Sequence, residues 1–329
     1  MRKYNVALFF GGNSGERSVS IESAKMVNKC LDKNLFNVYP IDIYNNDWIY
    51  KDSDNSEHYF DRNLNCLNVN GNNIKFDVAF IAIHGTPGED GKLQGYLDMA
   101  NIPYTSCNVT TAALTFNKYL CNQIAAYHGI NVPKTFYYTK RDAIDIDFLV
   151  RELSLPFFVK PNKSGSSCGI SKVYNSDEVL DAFDKAFAED DEVLAQKMIK
   201  GRELACGVYF DGEKIVALPI TEIVSHNDFF DYEAKYTKGK ADEITPANIS
   251  EELAKQCQKL SVDLYKHYAC KGVVRADFFL TEDEQWWFIE INTVPGFSEA
   301  SIIPQQVRAA GIDLQDFFKT LVLNAIDNI

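Results

Sequence analysis

Two short motifs near the carboxyl end of the sequence combine residue types that bind metal ions and phosphates. The first is Arg275-Ala276-Asp277, and the second, Glu290-Ile291-Asn292, begins thirteen positions after Asp277. β-prone runs flank a polar stretch at 281–285, so the motifs are predicted to lie at neighbouring strand ends of a hairpin. Carboxylate and amide oxygens, completed by nucleotide phosphates and water, are the usual ligands of Mg²⁺. We therefore expect a metal site at Asp277, Glu290 and Asn292 that serves phosphoryl transfer.

Two lysines are candidates for binding phosphate. Lys160 closes a predicted strand, and a loop of small residues follows it at 162–169. A cation beside a run of free backbone N–H groups suits the β- and γ-phosphate oxygens of a nucleotide. Lys118 lies on a predicted helix from Thr110 to His128. The alternative is a pair of exposed lysines and a flexible turn, because the loop does not match the Walker pattern.

Arg275 lies two residues before Asp277 and so points to the same face of its strand. An arginine there can stabilise negative charge on a reacting carboxylate or phosphoryl oxygen. The alternative is a structural ion pair with Asp277 or Glu290. The sharp turn expected after Asn292 contains Gly296, whose N–H can face an oxyanion.

The amino-terminal hundred residues alternate apolar runs with amphipathic segments, a rhythm that predicts a parallel sheet with crossover helices. The loop Gly11–Arg17 falls between the first strand and the first helix, where open α/β sheets bind ligands. Glu16 in this loop is either a receptor for a substrate ammonium or a carboxylate that only stabilises the helix start. His84, in a second glycine-rich turn, has the same ambiguity.

Two more segments complete the organisation. A small α+β unit of roughly ninety residues precedes a larger α+β region that contains the hairpin. The segment 226–247 is polar and aromatic without periodicity, and a loop of this length is typical of a lid that closes over a ligand.

Composition narrows the classes of function. The formal net charge of −13 over 329 residues argues against nucleic acid or an anionic membrane surface as the main partner. Eight cysteines without a CxxC pair indicate neither a zinc site nor a disulfide framework. No signal-peptide core and no run of eighteen apolar residues is present, which favours a reduced, cytoplasmic enzyme. The histidines other than His84 are interpreted as surface residues without partners.

Taken together, these residues resemble the ATP-grasp superfamily and, within it, the D-alanine:D-alanine ligase family, over nearly the whole chain. Six motifs occur in the family's order and at suitable spacing. They are Gly11 to Ser20, His84 to Gly95, Lys160-Pro161 with Gly165 to Gly169, Asp231 to Tyr236, Arg275 to Asp277, and Glu290 to Gly296. Six motifs in order are far less probable by chance than any one alone.

The resemblance implies an ATP-dependent reaction that joins two D-alanines through an acyl phosphate for peptidoglycan synthesis. It implies ATP as a substrate and two Mg²⁺ ions, replaceable by Mn²⁺, on Asp277, Glu290 and Asn292. Catalytic roles fall to Glu16, Ser166, Tyr236, Arg275 and Gly296. Substrate binding falls to Glu16, His84, Arg275, Gly296 and Ser301. ATP binding falls to Lys118, Lys160, Ser167, Gln196, Lys197, Ile199, Glu203 and Lys235.

The resemblance also implies an ATP-grasp fold of α/β and α+β type in three domains. These are an N-terminal open parallel α/β sheet at 1–104, a central domain at 105–199 and a catalytic domain at 200–329 with the lid at 226–247. A cytoplasmic homodimer that binds no nucleic acid and no membrane is expected.

Three departures from the family pattern affect the binding sites. Gln196 replaces a frequent glutamate near the adenine, and Phe230 and Phe297 replace a tyrosine and a methionine. The alternatives are a ligase whose second substrate is D-lactate or D-serine, and a catalytically silent nucleotide-binding protein. Lys235-Tyr236 favours the dipeptide enzyme, and the complete set of Arg275 and three metal ligands disfavours the silent protein.

Overall fold

Three β-sheets follow one another along the chain in a computed structural model, which describes residues 2–165, 168–225 and 241–327. The first sheet has seven strands, the second four and the third six, and helices cover their faces. This succession agrees with the predicted mixture of α/β and α+β units. The predicted domain limits remain a prediction.

The first sheet has a parallel centre and an antiparallel flank. Its strand order is β6-β5-β4-β3-β2-β1-β7, and only β2, β1 and β7 run parallel to one another. The predicted parallel sheet is present at β2, β1 and β7, and β3 to β6 extend it with antiparallel strands that were not predicted. The elements are β1 (Tyr4–Gly11), α1 (Arg17–Cys30), β2 (Phe36–Tyr44), β3 (Asp47–Lys51), β4 (Glu57–Asp61), β5 (Cys66–Val69), β6 (Asn72–Lys75), β7 (Val78–Ile81) and α2 (Lys92–Ala100).

The predicted helix at 110–128 is two helices, α3 (Val109–Phe116) and α4 (Lys118–Tyr127). Asn117 separates them because its extended backbone ends one helix and begins the next. Its side-chain oxygen accepts a hydrogen bond from the Leu120 N–H at 3.0 Å, the usual satisfaction of a helix start by an N-cap residue. The break places Lys118 in the first turn of α4.

The second sheet is antiparallel, with strand order β10-β9-β11-β8. Its core includes Phe157, Val159 and Phe183, which are fully buried. The elements are β8 (Thr135–Thr139), α5 (Ile146–Leu153), β9 (Phe157–Pro161), β10 (Ser171–Val173), a 3₁₀ turn (Ser176–Glu178), α6 (Val179–Glu189) and β11 (Glu192–Lys197).

The third sheet is antiparallel and contains the predicted hairpin. The hairpin strands β16 and β17 pair with each other, and β16 also pairs with β12. The last part of the predicted 226–247 lid loop is a strand, β15, while 226–240 lies outside the described residues. The elements are β12 (Arg202–Phe210), β13 (Ile215–Ala217), β14 (Thr221–Ser225), β15 (Ala241–Ile244), α7 (Glu251–His267), β16 (Val273–Leu280) and β17 (Trp286–Asn292).

Two carboxyl-terminal helices, α8 (Ile302–Ala309) and α9 (Leu314–Ile326), return to the first sheet. The rings of Phe80, Phe297 and Phe318 contact one another in edge-to-face geometry, with centroids 5.7 to 5.9 Å apart. This aromatic core joins the end of β7 to the segment that follows β17. Among the described residues no helix is both long and apolar enough to span a membrane.

Candidate functional site

The register of the β16–β17 hairpin brings the motifs at 275–277 and 290–292 together. Arg275 pairs with Asn292 and Asp277 pairs with Glu290 across the two strands, and the register shifts just after Asp277. Residues directly opposite each other, and residues two apart on one strand, share a face of the sheet. All four side chains line one cavity of about 450 Å³.

Arg275 and Asp277 form a bidentate ion pair. Arg275 Nε and Nη2 donate to the two Asp277 carboxylate oxygens at 2.8 and 2.7 Å, and Asn292 Nδ2 donates to Oδ2 at 3.0 Å. Burial alone would lower the pKa of Arg275, but the attraction and hydrogen bonds of Asp277 outweigh it and raise that pKa. The guanidinium therefore stays charged, and the ion pair weighed from the sequence is present in the structure.

Lys118 connects the hairpin to the small-residue loop. Its Nζ lies 3.2 Å from a Glu290 carboxylate oxygen and donates to the Ser164 carbonyl at 2.7 Å. Burial would lower the pKa of Lys118, but Glu290 raises it above its ordinary value. A surface lysine on a long helix was the alternative reading, and Lys118 is instead only 13% exposed.

Lys160 is buried. Its Nζ donates to Gln196 Oε1 at 2.7 Å, and Gln196 Nε2 donates to Thr135 Oγ1 at 2.9 Å. Of the remaining predicted ATP contacts, Lys197 ends β11 and Glu203 lies on β12, where it lines the cavity. Ile199 lies in the link between these two strands.

Glu16 lines the same cavity as the hairpin residues. It is the N-cap residue of α1, but its side chain makes no capping hydrogen bond. Gly165 approaches it so closely that an added Cβ would lie 2.4 Å from a Glu16 carboxylate oxygen. Gly165 of the small-residue loop thus packs against this carboxylate, and a larger side chain at that position would require Glu16 to move.

A turn at 294–297 follows β17 and carries Gly296. The Val294 N–H donates to Glu89 Oε1 at 3.2 Å, and His84 Nδ1 lies 2.8 Å from the Val294 carbonyl oxygen. His84 Nε2 lies 3.0 Å from the Ser23 hydroxyl. Both ring nitrogens of His84 are therefore bonded to the protein, although His84 lines the cavity.

Glu89 and Ser23 are site neighbours that sequence reasoning did not select. Burial raises the pKa of Glu89 to about 8, and the nearby Glu16 carboxylate adds to the rise. The Gly85 N–H donates to Glu89 Oε2 at 2.8 Å. A glutamate five residues after His84 and two serines three apart on α1 were the available signals, but neither pattern indicates a partner on its own.

Gly296 and Ser301 are in close contact. A Cβ on Gly296 would lie 2.6 Å from Ser301 Oγ, so a larger residue does not fit without a shift. Ser301 is the N-cap residue of α8, and its hydroxyl lies 2.7 Å from that of Ser298. Both residues line the cavity.

Four predicted site residues cannot be placed. Ser166, Ser167, Lys235 and Tyr236 are outside the described residues.

The interpretation of the other histidines as lacking partners was wrong where they are described. His58 Nε2 lies 2.8 Å from Asp52 Oδ2. The rings of His128 and His267 stack with centroids 3.7 Å apart. His226 lies outside the described residues.

The donor set fits a hard divalent cation in its chemistry. The carboxylates of Asp277 and Glu290 lie opposite each other. Asn292 donates through its amide nitrogen to Asp277, so the amide oxygen of Asn292 remains available as a metal ligand. Within the described ranges no group of three His, Cys, Asp or Glu side chains could hold a metal ion. A metal here would therefore need the Asn292 amide, nucleotide oxygens or water.

Two family models match the chain. The model described as D-ala D-ala ligase N-terminus matches residues 5–107, and the model described as D-ala D-ala ligase C-terminus matches residues 124–323. The D-alanine--D-alanine ligase of Bacteroides fragilis is 42% identical over 322 residues, which cover 98% of this chain and 99% of that protein.

Solved structures show the same fold. The VanG D-Ala:D-Ser ligase from Enterococcus faecalis has a TM-score of 0.86 at 31% identity, covering 98% of this chain and 99% of that one. The D-alanine--D-alanine ligase from Bacillus anthracis complexed with ATP has a TM-score of 0.80 at 29% identity, covering 100% of this chain and 98% of that one.

Proposed function

Because the chain belongs to the D-ala D-ala ligase family, we propose that it joins two D-alanines to D-alanyl-D-alanine at the expense of ATP, for peptidoglycan precursor synthesis. The observation that carries this proposal is the cavity that Glu16 lines together with Arg275, Asp277, Glu290 and Asn292. The Glu16 carboxylate, which would receive a substrate ammonium, thus lines the same cavity as the charged side chains of the hairpin. This combination suits the activation of an amino acid carboxylate by a nucleotide.

The reaction has two steps. A carboxylate oxygen of the first D-alanine attacks the γ-phosphorus of ATP, and ADP leaves. The amine of the second D-alanine then attacks the acyl phosphate, a tetrahedral adduct forms, and phosphate leaves with the dipeptide formed. Positioning and electrostatics supply most of the rate, because neither step uses a protein nucleophile.

Glu16 receives the ammonium of the first D-alanine in this proposal. Gly165 lies against that carboxylate, so the loop that follows Lys160 covers the subsite. Ser166 and Tyr236, which lie outside the described residues, are assigned the role of linking this loop to the lid. His84 forms part of the subsite wall through its ring, since both ring nitrogens already bond to protein groups.

ATP lies between the second and third sheets. Lys118 and Lys160 contact its phosphates, and each of these largely shielded cations lies beside an acceptor. Lys235 reaches the γ-phosphate from the lid. The remaining contacts to the nucleotide are assigned to Ser167, Gln196, Lys197, Ile199 and Glu203.

Asp277, Glu290 and Asn292 would hold two Mg²⁺ ions, with Mn²⁺ able to substitute. Bound there, the ions would neutralise phosphate charge and offset the repulsion between two anionic reactants. Lys118 and Arg275 already balance the two carboxylates in the hairpin.

Arg275 and the Gly296 N–H stabilise the oxyanion of the tetrahedral adduct. The carboxylate of Asp277 holds the guanidinium in one orientation through two hydrogen bonds, so little reorganisation accompanies charge development. Ser301 binds the carboxylate of the second D-alanine. Ser301 and Gly296 both line the cavity, which supports this assignment.

The domain limits 1–104, 105–199 and 200–329, a homodimer and a cytoplasmic location complete the proposal. Light scattering of the purified chain at micromolar concentration tests the dimer. A monomer mass under those conditions would contradict it.

The decisive experiment is product identification by mass spectrometry. The purified chain receives ATP, Mg²⁺ and equal amounts of D-alanine, D-serine and D-lactate. D-alanyl-D-alanine is expected as the main product. Dominance of D-alanyl-D-serine, the dipeptide implied by the likeness to VanG, would overturn the specificity assigned here, and so would dominance of the D-lactate ester.

The same assay tests the silent nucleotide-binding alternative. That alternative predicts ATP binding without phosphate release under any substrate mixture. L-alanine in place of D-alanine is the control and should release no phosphate above background.

A further inference from the structure

The 294–297 turn is held at both ends by residues from the opposite end of the chain. The Val294 N–H bonds to Glu89 and the Val294 carbonyl faces His84, while the Phe297 N–H donates to the Ser23 hydroxyl at 3.0 Å. The bonded partners lie 205 to 274 residues apart in the sequence. Gly296 lies between these two attachment points.

The hydroxyl of Ser23 makes two contacts that bear on this turn. It lies on α1 and is completely buried, and its Oγ contacts both the Phe297 N–H and His84 Nε2. Helix α1 therefore reaches both the turn that carries Gly296 and the histidine that holds the start of that turn. No other described residue is bonded to both Phe297 and His84.

The direction of each hydrogen bond follows from the chemistry of the groups. The Val294 carbonyl can only accept, so His84 Nδ1 carries the proton between them. Burial lowers the pKa of His84, which favours the neutral ring with an unprotonated Nε2. Nε2 then accepts from the Ser23 hydroxyl, and Ser23 Oγ accepts from the Phe297 N–H.

We propose that Ser23 is a positioning residue for ligation, because its hydroxyl donates to Nε2 of His84 in the tautomer that the Val294 carbonyl sets, and because it anchors the turn that presents Gly296. The proposal rests on the proposed function, since it assigns Gly296 to the oxyanion. Ser23 itself does not line the cavity and is not a catalytic residue.

The variant Ser23→Ala tests this role. It removes the partner of both His84 Nε2 and the Phe297 N–H, so the turn loses its fixed position. We expect kcat for D-alanyl-D-alanine formation to fall about 10- to 100-fold, the scale of a misplaced oxyanion donor. The KM for ATP should change less than about threefold, because none of the assigned ATP contacts bonds to Ser23.

Thr111→Val is the matched control. Thr111 is also buried, and its hydroxyl makes a long-range bond of 2.7 Å to the Tyr268 carbonyl, far along the chain from the turn. This variant should lower the melting temperature without lowering kcat. An equal loss of kcat in both variants, or a loss in Ser23→Ala that lies only in the KM for ATP, would overturn the proposal.

A measurement on the wild type does not depend on the folding of Ser23→Ala. ¹⁵N NMR of the imidazoles, with His84 assigned among the five histidines by comparison with His84→Gln, reports which nitrogen is protonated. A proton on Nδ1 and none on Nε2 is expected, and a protonated Nε2 would overturn the proposal. Failure of the wild type to form any dipeptide would instead refute the proposed function, whatever the tautomer.

Discussion

Replacement of Arg275 tests both its ion pair with Asp277 and its proposed role as an oxyanion donor. Arg275 makes two hydrogen bonds of 2.8 and 2.7 Å to Asp277, and its side chain is 21% exposed while that of Asp277 is 5% exposed. Arg275→Ala removes the proposed oxyanion donor and also leaves Asp277 with one fewer cation. Arg275→Lys keeps a positive charge but cannot reproduce the planar fork.

The expected losses in kcat and in folding free energy follow from these contacts. Loss of one oxyanion donor costs about 3 to 4 kcal/mol in the transition state, which is about 10²- to 10³-fold in kcat. Breaking a buried ion pair costs about 3 to 5 kcal/mol of folding free energy when the remaining charge stays unpaired. Asn292 still donates to Asp277 and the cavity admits water, so we expect a stability loss near the low end of that range.

The assay is steady-state phosphate release at saturating D-alanine, ATP and Mg²⁺, with thermal unfolding measured in parallel. Arg202→Lys is the matched control, because Arg202 makes an equally bidentate pair with Glu222 on the same sheet, at 2.6 Å for both bonds. Arg275→Lys should lose at least about tenfold in kcat, and Arg202→Lys should keep its kcat. If Arg275→Ala retains kcat within about threefold of the wild type, the oxyanion role of Arg275 is refuted.

Three further predictions concern single carboxylate and amide groups. Glu290→Gln should leave the chain folded but nearly inactive and should raise the Mg²⁺ concentration needed for half-maximal rate, because it removes a ligand charge that also pairs with Lys118; near-normal turnover at saturating Mg²⁺ would count against the metal assignment. Gln196→Glu should lower the KM for ATP about two- to fivefold, since a carboxylate accepts a hydrogen bond from the adenine amino group more strongly than an amide; an unchanged or higher KM would argue that Gln196 serves only to hold Lys160. The pKa of Glu89 is raised from 4.5 to about 8, so the folded chain keeps a proton that the unfolded chain has released, and the stability from Glu89 is present at acid pH and lost as the pH rises through that window. The melting temperature of the wild type relative to Glu89→Gln should therefore fall between pH 5 and pH 8, and parallel curves would contradict the raised pKa.

The hairpin could be predicted from the sequence because its determinants are local. Two β-prone runs and a polar turn specify the strands, and a spacing of two residues places Arg275 and Asp277 on one face. The cross-strand pairs of these residues with Asn292 and Glu290 follow from the length of the turn. Strand register therefore explains why the motifs at 275–277 and 290–292 predicted a shared site.

The antiparallel flank of the first sheet was missed although the sequence marks its turns. Asn45, Asn55, Asn65 and Asn70 all have positive φ, from 50° to 59°. Asparagine adopts this conformation more readily than most residues, so it is typical of tight connections between antiparallel strands. The βαβ rhythm of the longer apolar runs outweighed these shorter signals in our interpretation.

Long-range partners could not be read from the sequence. Ser23 meets Phe297 across 274 residues, and nothing local to α1 indicates a partner in the turn after β17. The position of Lys118 also depended on the helix break at Asn117, which an asparagine inside a helical pattern only suggests. Such contacts are set by the packing of helices on sheets rather than by local preference.

Activation of a D-alanine carboxylate as an acyl phosphate transfers one carboxylate oxygen to phosphate, and isotope labelling can follow that oxygen. D-alanine labelled with ¹⁸O in its carboxylate is incubated with ATP, Mg²⁺ and the purified chain, and the released phosphate is analysed by mass spectrometry. One labelled oxygen in phosphate for each dipeptide formed is the expected result, because that oxygen attacks the γ-phosphorus and leaves with it. Dipeptide formation with unlabelled phosphate would rule out an acyl phosphate intermediate.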